Sequence, residues 1–272
     1  MTGINLSTAS DIRIGGTQAS RVYLGSYQVW PTRNYANDYL TFYSWENNNE
    51  ITWTATHSTH TKTIEISIDN GTTWVSKTSS STGTLLATLN AGDKMLIKGT
   101  NNGYSDEWGS WWNTFGSSQD FNIEGNIMSL IYGDNFIGQT TITTERTFAY
   151  LFQDNMYLKN AQNLILPSTT LTEGCYLCMF NGSTELLNAP VLPATTLSPN
   201  CYQWMFDRCK SLRYIKCLAT DITATDCTYD WLNGAGQYID QSLCLFIKDP
   251  NMTSWTTGAS GIPSGWTIQN AS

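Results

Sequence analysis

Charge is scarce in this 272-residue chain: only 13% of its residues are Asp, Glu, Lys or Arg. The 14 basic residues are outnumbered by 22 acidic ones, for a net charge of −8, and nowhere do they cluster. A nucleic-acid binder needs a basic stripe to neutralise phosphates, so that class is excluded, and anionic membranes are disfavoured for the same reason. No run of 18 apolar residues is present, so no segment is expected to span a bilayer. Residues 1–16, MTGINLSTASDIRIGG, lack both the basic start and the apolar core of a secretory signal. Histidine occurs only twice, as His57 and His60. On a strand their odd spacing would turn them to opposite sides, and no Cys or acidic cluster adjoins them, so they read as surface residues and no metal site is expected.

What is present points to β-structure. Thr, Ser and Asn are abundant and aromatics reach 12%, a mixture that suits pleated surfaces and turns and not a disordered chain. The length accommodates about two domains and a short extra segment. Seven cysteines cannot all pair within one chain, and six of them lie between Cys175 and Cys227. Cys175 and Cys178 form a CxxC with no second pair at zinc-binding spacing, so buried free thiols are expected.

Three regions follow. Residues 1–34 carry short strand-like runs, Asp11–Gly16 and Arg21–Gly25, then Val29-Trp30-Pro31. Two such strands are marginal alone and need something to pack against, with Ile12, Ile14, Val22, Tyr23, Leu24 and Trp30 as the contact-making residues. Residues 35–126 alternate in runs such as Ile51-Thr-Trp-Thr54 and Thr63-Ile-Glu-Ile-Ser-Ile68, separated by turn residues such as Asn70-Gly71. That pattern predicts an antiparallel β-sandwich.

Residues 127–272 are repetitive. Leu166-Pro-Ser-Thr-Thr-Leu171 recurs 26 residues later as Leu192-Pro-Ala-Thr-Thr-Leu197. Cys175, Cys201 and Cys227 keep this interval, as do Met179, Met205 and Trp231, and Phe180 is matched by Phe206. Such a ladder indicates stacked units that bury their apolar stripes only against one another. Ser198-Pro199 reads as a helix cap, and Cys201/Met205 and Tyr202/Phe206 as i,i+4 pairs on one helical face, so each unit is expected to hold a turn, a short helix and a short strand. Leu158-Lys-Asn-Ala161 echoes Leu186-Leu-Asn-Ala189 at an offset of 28. The tail after Cys244, with Trp255, Pro263 and Trp266, is expected to cap the stack.

At Leu192–Leu212 the unit LPxTTLxxxCYxxMFxxCxSL resembles the BspA-type leucine-rich repeats of Bacteroides surface proteins and of phages of that group. Residues 166–187 match less fully, because Ser183 replaces the second Cys. Residues 11–31 are similar to N-terminal modules of structural proteins from crAss-like phages. The resemblance implies a mainly β architecture with short helices: an attachment segment, a sandwich and a leucine-rich-repeat solenoid. It also implies a non-enzymatic virion protein, assembled in the host bacterial cytoplasm, with a capsid head fibre fitting the short chain. Capsid or other virion proteins would be its partners through residues 1–34, a homotrimer its self-association, and host-surface or mucus glycans its ligands. A tail-borne receptor-binding protein is the alternative, and a secreted Bacteroides adhesin or glycan-active protein a second one.

Local motifs add little catalytic chemistry. Ser67-Ile-Asp69-Asn-Gly71-Thr-Thr-Trp74 fits the Asp-box pattern, which stabilises a hairpin and is not a catalytic site. Asp106, Glu107, Asp120, Glu124 and Asp134 show no spacing that singles out a glycosidase pair. No catalytic residue and no cofactor is therefore expected. The densest aromatic run contains Tyr104, Trp108, Trp111, Trp112 and Phe115 beside Asp106, and is the candidate patch for a glycan or a protein partner if it is not core.

Overall fold

The computed structural model describes residues 34–106 and 110–271, together with the backbone of four short strands before them. Contacts divide the chain into two compact units, Met1–Tyr35 and Ala36–Ser272. In the first, β1 (Arg13–Ile14) pairs antiparallel with β2 (Thr17–Gln18), and β3 (Val22–Leu24) with β4 (Tyr27–Trp30). The expected runs Asp11–Gly16 and Arg21–Gly25 thus contain β1 and β3, and each pairs with a strand that follows it. Ile12 lies outside the described residues, and for Ile14, Val22, Tyr23, Leu24 and Trp30 only the backbone is described.

The second unit begins with β5 (Leu40–Ser44), β6 (Asn49–Ala55), β7 (Thr63–Ser67), β8 (Val75–Thr78), β9 (Thr84–Leu89), β10 (Lys94–Lys98), β11 (Asn113–Ser117) and β12 (Phe121–Asn126). After a short helix α1 (Ser129–Tyr132) come β13 (Leu158–Ile165), β14 (Asn188–Leu192), β15 (Tyr214–Cys217), β16 (Leu245–Lys248) and β17 (Thr267–Asn270). They form a ten-stranded sheet, ordered β17-β16-β15-β14-β13-β12-β5-β10-β7-β8, and a three-stranded sheet, β11-β6-β9.

Alternation explains the sandwich-like half. Along β6 the residues Ile51, Trp53 and Ala55 are buried while Thr52 and Thr54 between them are not, as period-two patterning requires. Trp53 stacks on Phe115 of β11 with centroids 4.3 Å apart, and Phe115 meets Phe42 of the large sheet at 5.1 Å.

The sheet does not stop where the sequence suggested a boundary. Strand β12 pairs antiparallel with β5 (Ile123↔Phe42) and parallel with β13 (Gly125↔Leu164), so the expected join near residues 122–126 lies inside a shared strand. Gly125 sits there at φ +87°, and a Cβ at this position would come within 2.0 Å of the Tyr39 carbonyl oxygen. Only glycine allows that approach.

From β12 onward each strand pairs parallel to the one before it, through β17. The long returns between strands correct the helix expectation. Residues 174–182 and 200–208 are successive turns. Every fourth residue has positive φ: Gly174, Cys178 and Gly182 in one coil, and Asn200, Trp204 and Arg208 in the next. A residue in that region interrupts the i→i−4 ladder of a helix. Alternate N–H groups instead bond three residues back, as Leu177 N to Gly174 O (2.9 Å) and Met179 N to Tyr176 O (3.2 Å). The N–H groups between them reach the next coil, as Cys178 N to Gln203 O (3.0 Å) and Phe180 N to Met205 O (2.9 Å). Ser198 does not cap a helix either; its hydroxyl donates to Leu171 O in the preceding coil.

Side chains stack as regularly as the backbone. Phe152, Phe180 and Phe206 form one column, with centroids 5.5 and 5.4 Å apart, and Phe148, Tyr176, Tyr202 and Trp231 form another. The first column continues through Phe152–Phe115 (5.7 Å) into the sandwich core, so a single apolar cluster runs through both halves. Each fully buried Phe contributes roughly 1.5–3 kcal/mol of transfer free energy, as does each buried Leu or Met beside it, so stacking the coils is what stabilises them.

Leu166, Leu171, Cys175, Met179, Phe180, Leu192, Leu197, Cys201, Met205, Phe206, Cys227 and Trp231 are all buried. All seven cysteines are free and buried. Burial pushes the thiols of Cys175, Cys178 and Cys217 up to about 12. The tail both covers and prolongs the stack. Trp255 lies flat on Trp231 (5.3 Å, 6°), and Trp266 Nε1 donates to Gln241 Oε1 at 2.8 Å, yet β16 and β17 add two further parallel strands.

Candidate functional site

The aromatic run at 104–115 separates into core and surface. Tyr104 and Phe115 are buried, and the Tyr104 hydroxyl donates to Leu130 O at 2.7 Å. Trp108 lies outside the described residues. Trp111 and Trp112, just before β11, remain partly exposed. Asp106 fixes the approach to them, its Oδ1 accepting the N–H groups of Ser110 (2.7 Å) and Trp111 (3.2 Å).

Trp112 continues into the turn stack. Its ring stacks on Tyr150 at 4.4 Å, and Tyr150 packs with Ala149, Leu177, Cys178 and Trp204 in a small apolar cluster outside the main core. Trp204 then meets Tyr229 edge-on at 5.9 Å, and Tyr229 is exposed. The result is an aromatic ridge, Trp112–Tyr150–Cys178–Trp204–Tyr229, that crosses successive coils. Tyr150, Cys178 and Trp204 occupy the middle positive-φ position of their turns, and with the residue before each they form the side of the tetrad turned away from the main core. Burial first, then the neighbouring Cys178, pushes the Tyr150 hydroxyl up to about 12.

Polar rows flank the ridge. On one side Arg146 pairs with Glu173 (3.6 Å), whose Oε1 also accepts from Asn200 Nδ2 (3.2 Å). On the other side Asp207 accepts from Asn181 Nδ2 and from Asn233 Nδ2, each at 3.0 Å, and Arg208 reaches Asp154 at 3.4 Å. Chemically the surface offers flat apolar faces between amides, carboxylates and guanidinium groups, which suits binding of a ligand with one apolar face and polar edges.

His57 and His60 lie together in a turn, not on opposite faces of a strand. Thr59 Oγ1 is 2.9 Å from His57 Nδ1 and 3.0 Å from His60 Nδ1, and the His60 ring stacks on Trp111 at 4.5 Å. Among the described residues no group of three His, Cys, Asp or Glu gathers as metal ligands. The Asp-box residues close a hairpin. Ser67 Oγ donates to Asp69 Oδ1 (2.7 Å) and accepts from Gly71 N (2.8 Å), while Trp74 packs on Tyr39 at 5.0 Å. The remaining acidic residues are engaged: Glu124 with Lys94 (2.5 Å), Asp134 with Lys98 (2.8 Å) and Asp120 with Lys159 (3.3 Å). Glu107 lies outside the described residues.

Sequence reasoning missed Tyr150, Trp204 and Tyr229 as surface residues. The signal was available, because a tetrad with two inward and two outward positions repeats through Cys201-Tyr-Gln-Trp-Met-Phe206, but a helical period hides it. No protein-family model, no curated protein and no solved structure matches this chain.

Proposed function

We propose that this chain is a non-enzymatic adhesion protein of a virus particle, a head fibre of a crAss-like Bacteroides phage attached through residues 1–34. In this reading the parallel stack is a BspA-type leucine-rich-repeat solenoid, displayed outward to hold host-surface or mucus glycans. The observation that carries it is the in-register stack of coils with an aromatic ridge and two polar rows along its side. A repeated surface of that kind suits weak, multivalent contact, in which many copies on one particle convert low affinity into avidity. The separate compact N-terminal unit supports a division between attachment and display. The proposed assembly is a homotrimer, in keeping with the closed symmetry of most homo-oligomers.

Location on purified particles tests the reading. Immunogold labelling or a particle reconstruction is expected to place many copies over the capsid. A few copies at the tail tip would make it a receptor-binding protein instead, and absence from the particle would overturn the proposal. Removing residues 1–31 is expected to abolish incorporation while the remaining chain stays folded by circular dichroism.

A further inference from the structure

On the outer face of the large sheet a second site lies apart from the ridge. The strand registers align Tyr43, Asn122, Asn160, Asn188 and Tyr214 in one row across β5, β12, β13, β14 and β15. Where this row passes Trp45 the surface is hollowed into a cleft of about 380 Å³, lined by Trp45, Asp120, Asn122, Lys159, Asn160 and Leu187. That volume falls within the roughly 300–1,000 Å³ typical of small-molecule sites.

The wall is built rather than accidental. Trp45 is 40% exposed, yet its ring is held edge-on against Tyr43 at 5.2 Å and its backbone N–H donates to Asp120 O at 3.0 Å. A large aromatic face is therefore presented in a fixed orientation. Beside it the Asn122 side-chain oxygen is buried and accepts no hydrogen bond. That oxygen lies beneath the surface, so Asn122 shapes the floor of the cleft and the polar contact falls to Asn160. Asn160 is oriented through its oxygen, which accepts from Gln162 N at 2.8 Å, and its Nδ2 remains as a donor.

Charge narrows the ligand class. Lys159 stands between Asp120 and Glu185, 3.3 Å from each, so its ammonium is already neutralised with one carboxylate in excess. A phosphate or carboxylate ligand would meet net negative charge. A flat apolar wall with neutral amide groups at its edge matches instead a pyranose ring, whose axial C–H face is apolar and whose rim is hydroxyls. We propose that this cleft is a subsite for a neutral pyranose, stacked on Trp45 and hydrogen-bonded by Asn160. The proposal rests on the adhesion reading only in its choice of glycan, since the cleft is tested on the isolated protein.

The experiment is a screen of the full-length protein on an array of neutral and acidic glycans, followed by saturation-transfer NMR with methyl glycosides of glucose, galactose, mannose and N-acetylglucosamine, and with sialyllactose. At least one neutral sugar is expected to bind. Trp45→Ala is expected to weaken it about tenfold or more and Asn160→Ala several-fold, while Tyr238→Ala, at an exposed aromatic outside both cleft and ridge, leaves it unchanged. Near-UV circular dichroism checks that each variant stays folded, as the exposure of Trp45 favours. Binding of no neutral glycan, binding indifferent to Trp45→Ala and Asn160→Ala, or a preference for sialyllactose would each overturn the proposal. None of these results depends on where the protein sits on a particle, so failure here and failure of the particle reading are told apart.

Discussion

The two halves of the larger unit bury their cores by different devices. In the sandwich-like half, burial follows the pleat: alternate residues of β6 point inward, and its partners β9 and β11 come from distant parts of the chain. In the stack, burial follows a tetrad of turns, and each coil meets its partner 26 residues on, as Phe180 meets Phe206. One half owes its order to a pattern within strands and the other to a pattern between copies. Yet the aromatic column from Phe42 through Phe115 and Phe152 to Phe206 makes them one core.

The strongest way to break that comparison is to cut the column at its join. Phe152 is fully buried and touches rings from both halves. Phe152→Ala is expected to cost about 3–5 kcal/mol. If the halves form one cooperative unit, calorimetry shows a single transition moved to lower temperature. Two transitions, with only the later one displaced, would mean that the stack and the sandwich-like half unfold separately.

A smaller effect sharpens the contrast within the stack. Gly182 occupies a positive-φ position, and a Cβ there would approach the end of the Asp154 side chain, which is exposed and can move aside. Gly182→Ala is therefore expected to cost mainly backbone strain, about 1–2 kcal/mol. The reverse change belongs at Asp226, exposed at φ 51° in the place that Gly174 takes two coils earlier. Asp226→Gly is expected to stabilise by about 0.5 kcal/mol, relief of strain offset by the entropy of glycine. In a strand of the other half, Thr54→Gly should destabilise instead. Denaturant midpoints for the three variants check the signs, and a loss of stability at Asp226→Gly would contradict the turn-tetrad account.

Much of this contrast was legible in the sequence, and the part that was not has a physical cause. The 26-residue interval fixed the order of the coils, and the 28-residue echo of Asn160 in Asn188 is a cross-strand pair in the sheet. The helix reading failed because turns of four residues and a helix of 3.6 place i and i+4 on the same side. Cys201/Met205 and Tyr202/Phe206 are buried either way, so their spacing identified the right face and the wrong backbone. What decides between them is the residue between the pairs, and Cys178 and Trp204 give no chemical hint of positive φ, as glycine at 174 and 182 does. The Trp45 cleft was out of reach, since its lining comes from strand ends at 45, 120–122, 159–160 and 187, brought together only by register. The aromatic run at 104–115 divides between core and edge, and the buried positions Tyr104 and Phe115 differ from Trp111 and Trp112 in nothing that composition reveals.

The smallest expected effect concerns pH, and it separates a hairpin of the sandwich-like half from the stack. Asp69 is held down to about 2, first by the Thr73 backbone N–H, then by the hydroxyls of Thr73 and Ser67. A carboxyl lowered on folding stabilises the folded state at pH values above its unfolded value near 4, and that contribution is lost as the pH falls through 4 towards 2. Asp221 and Asp240 in the stack are lowered in the same way by Thr223 and Ser242, so both halves lose turn support in acid. Asp69→Asn isolates the hairpin's share. Its melting temperature should lie slightly below that of the wild type at pH 6, and the two should converge by pH 2. A gap that stays constant across this range would show that the Asp69 contacts act through shape alone and not through the charge of the carboxylate.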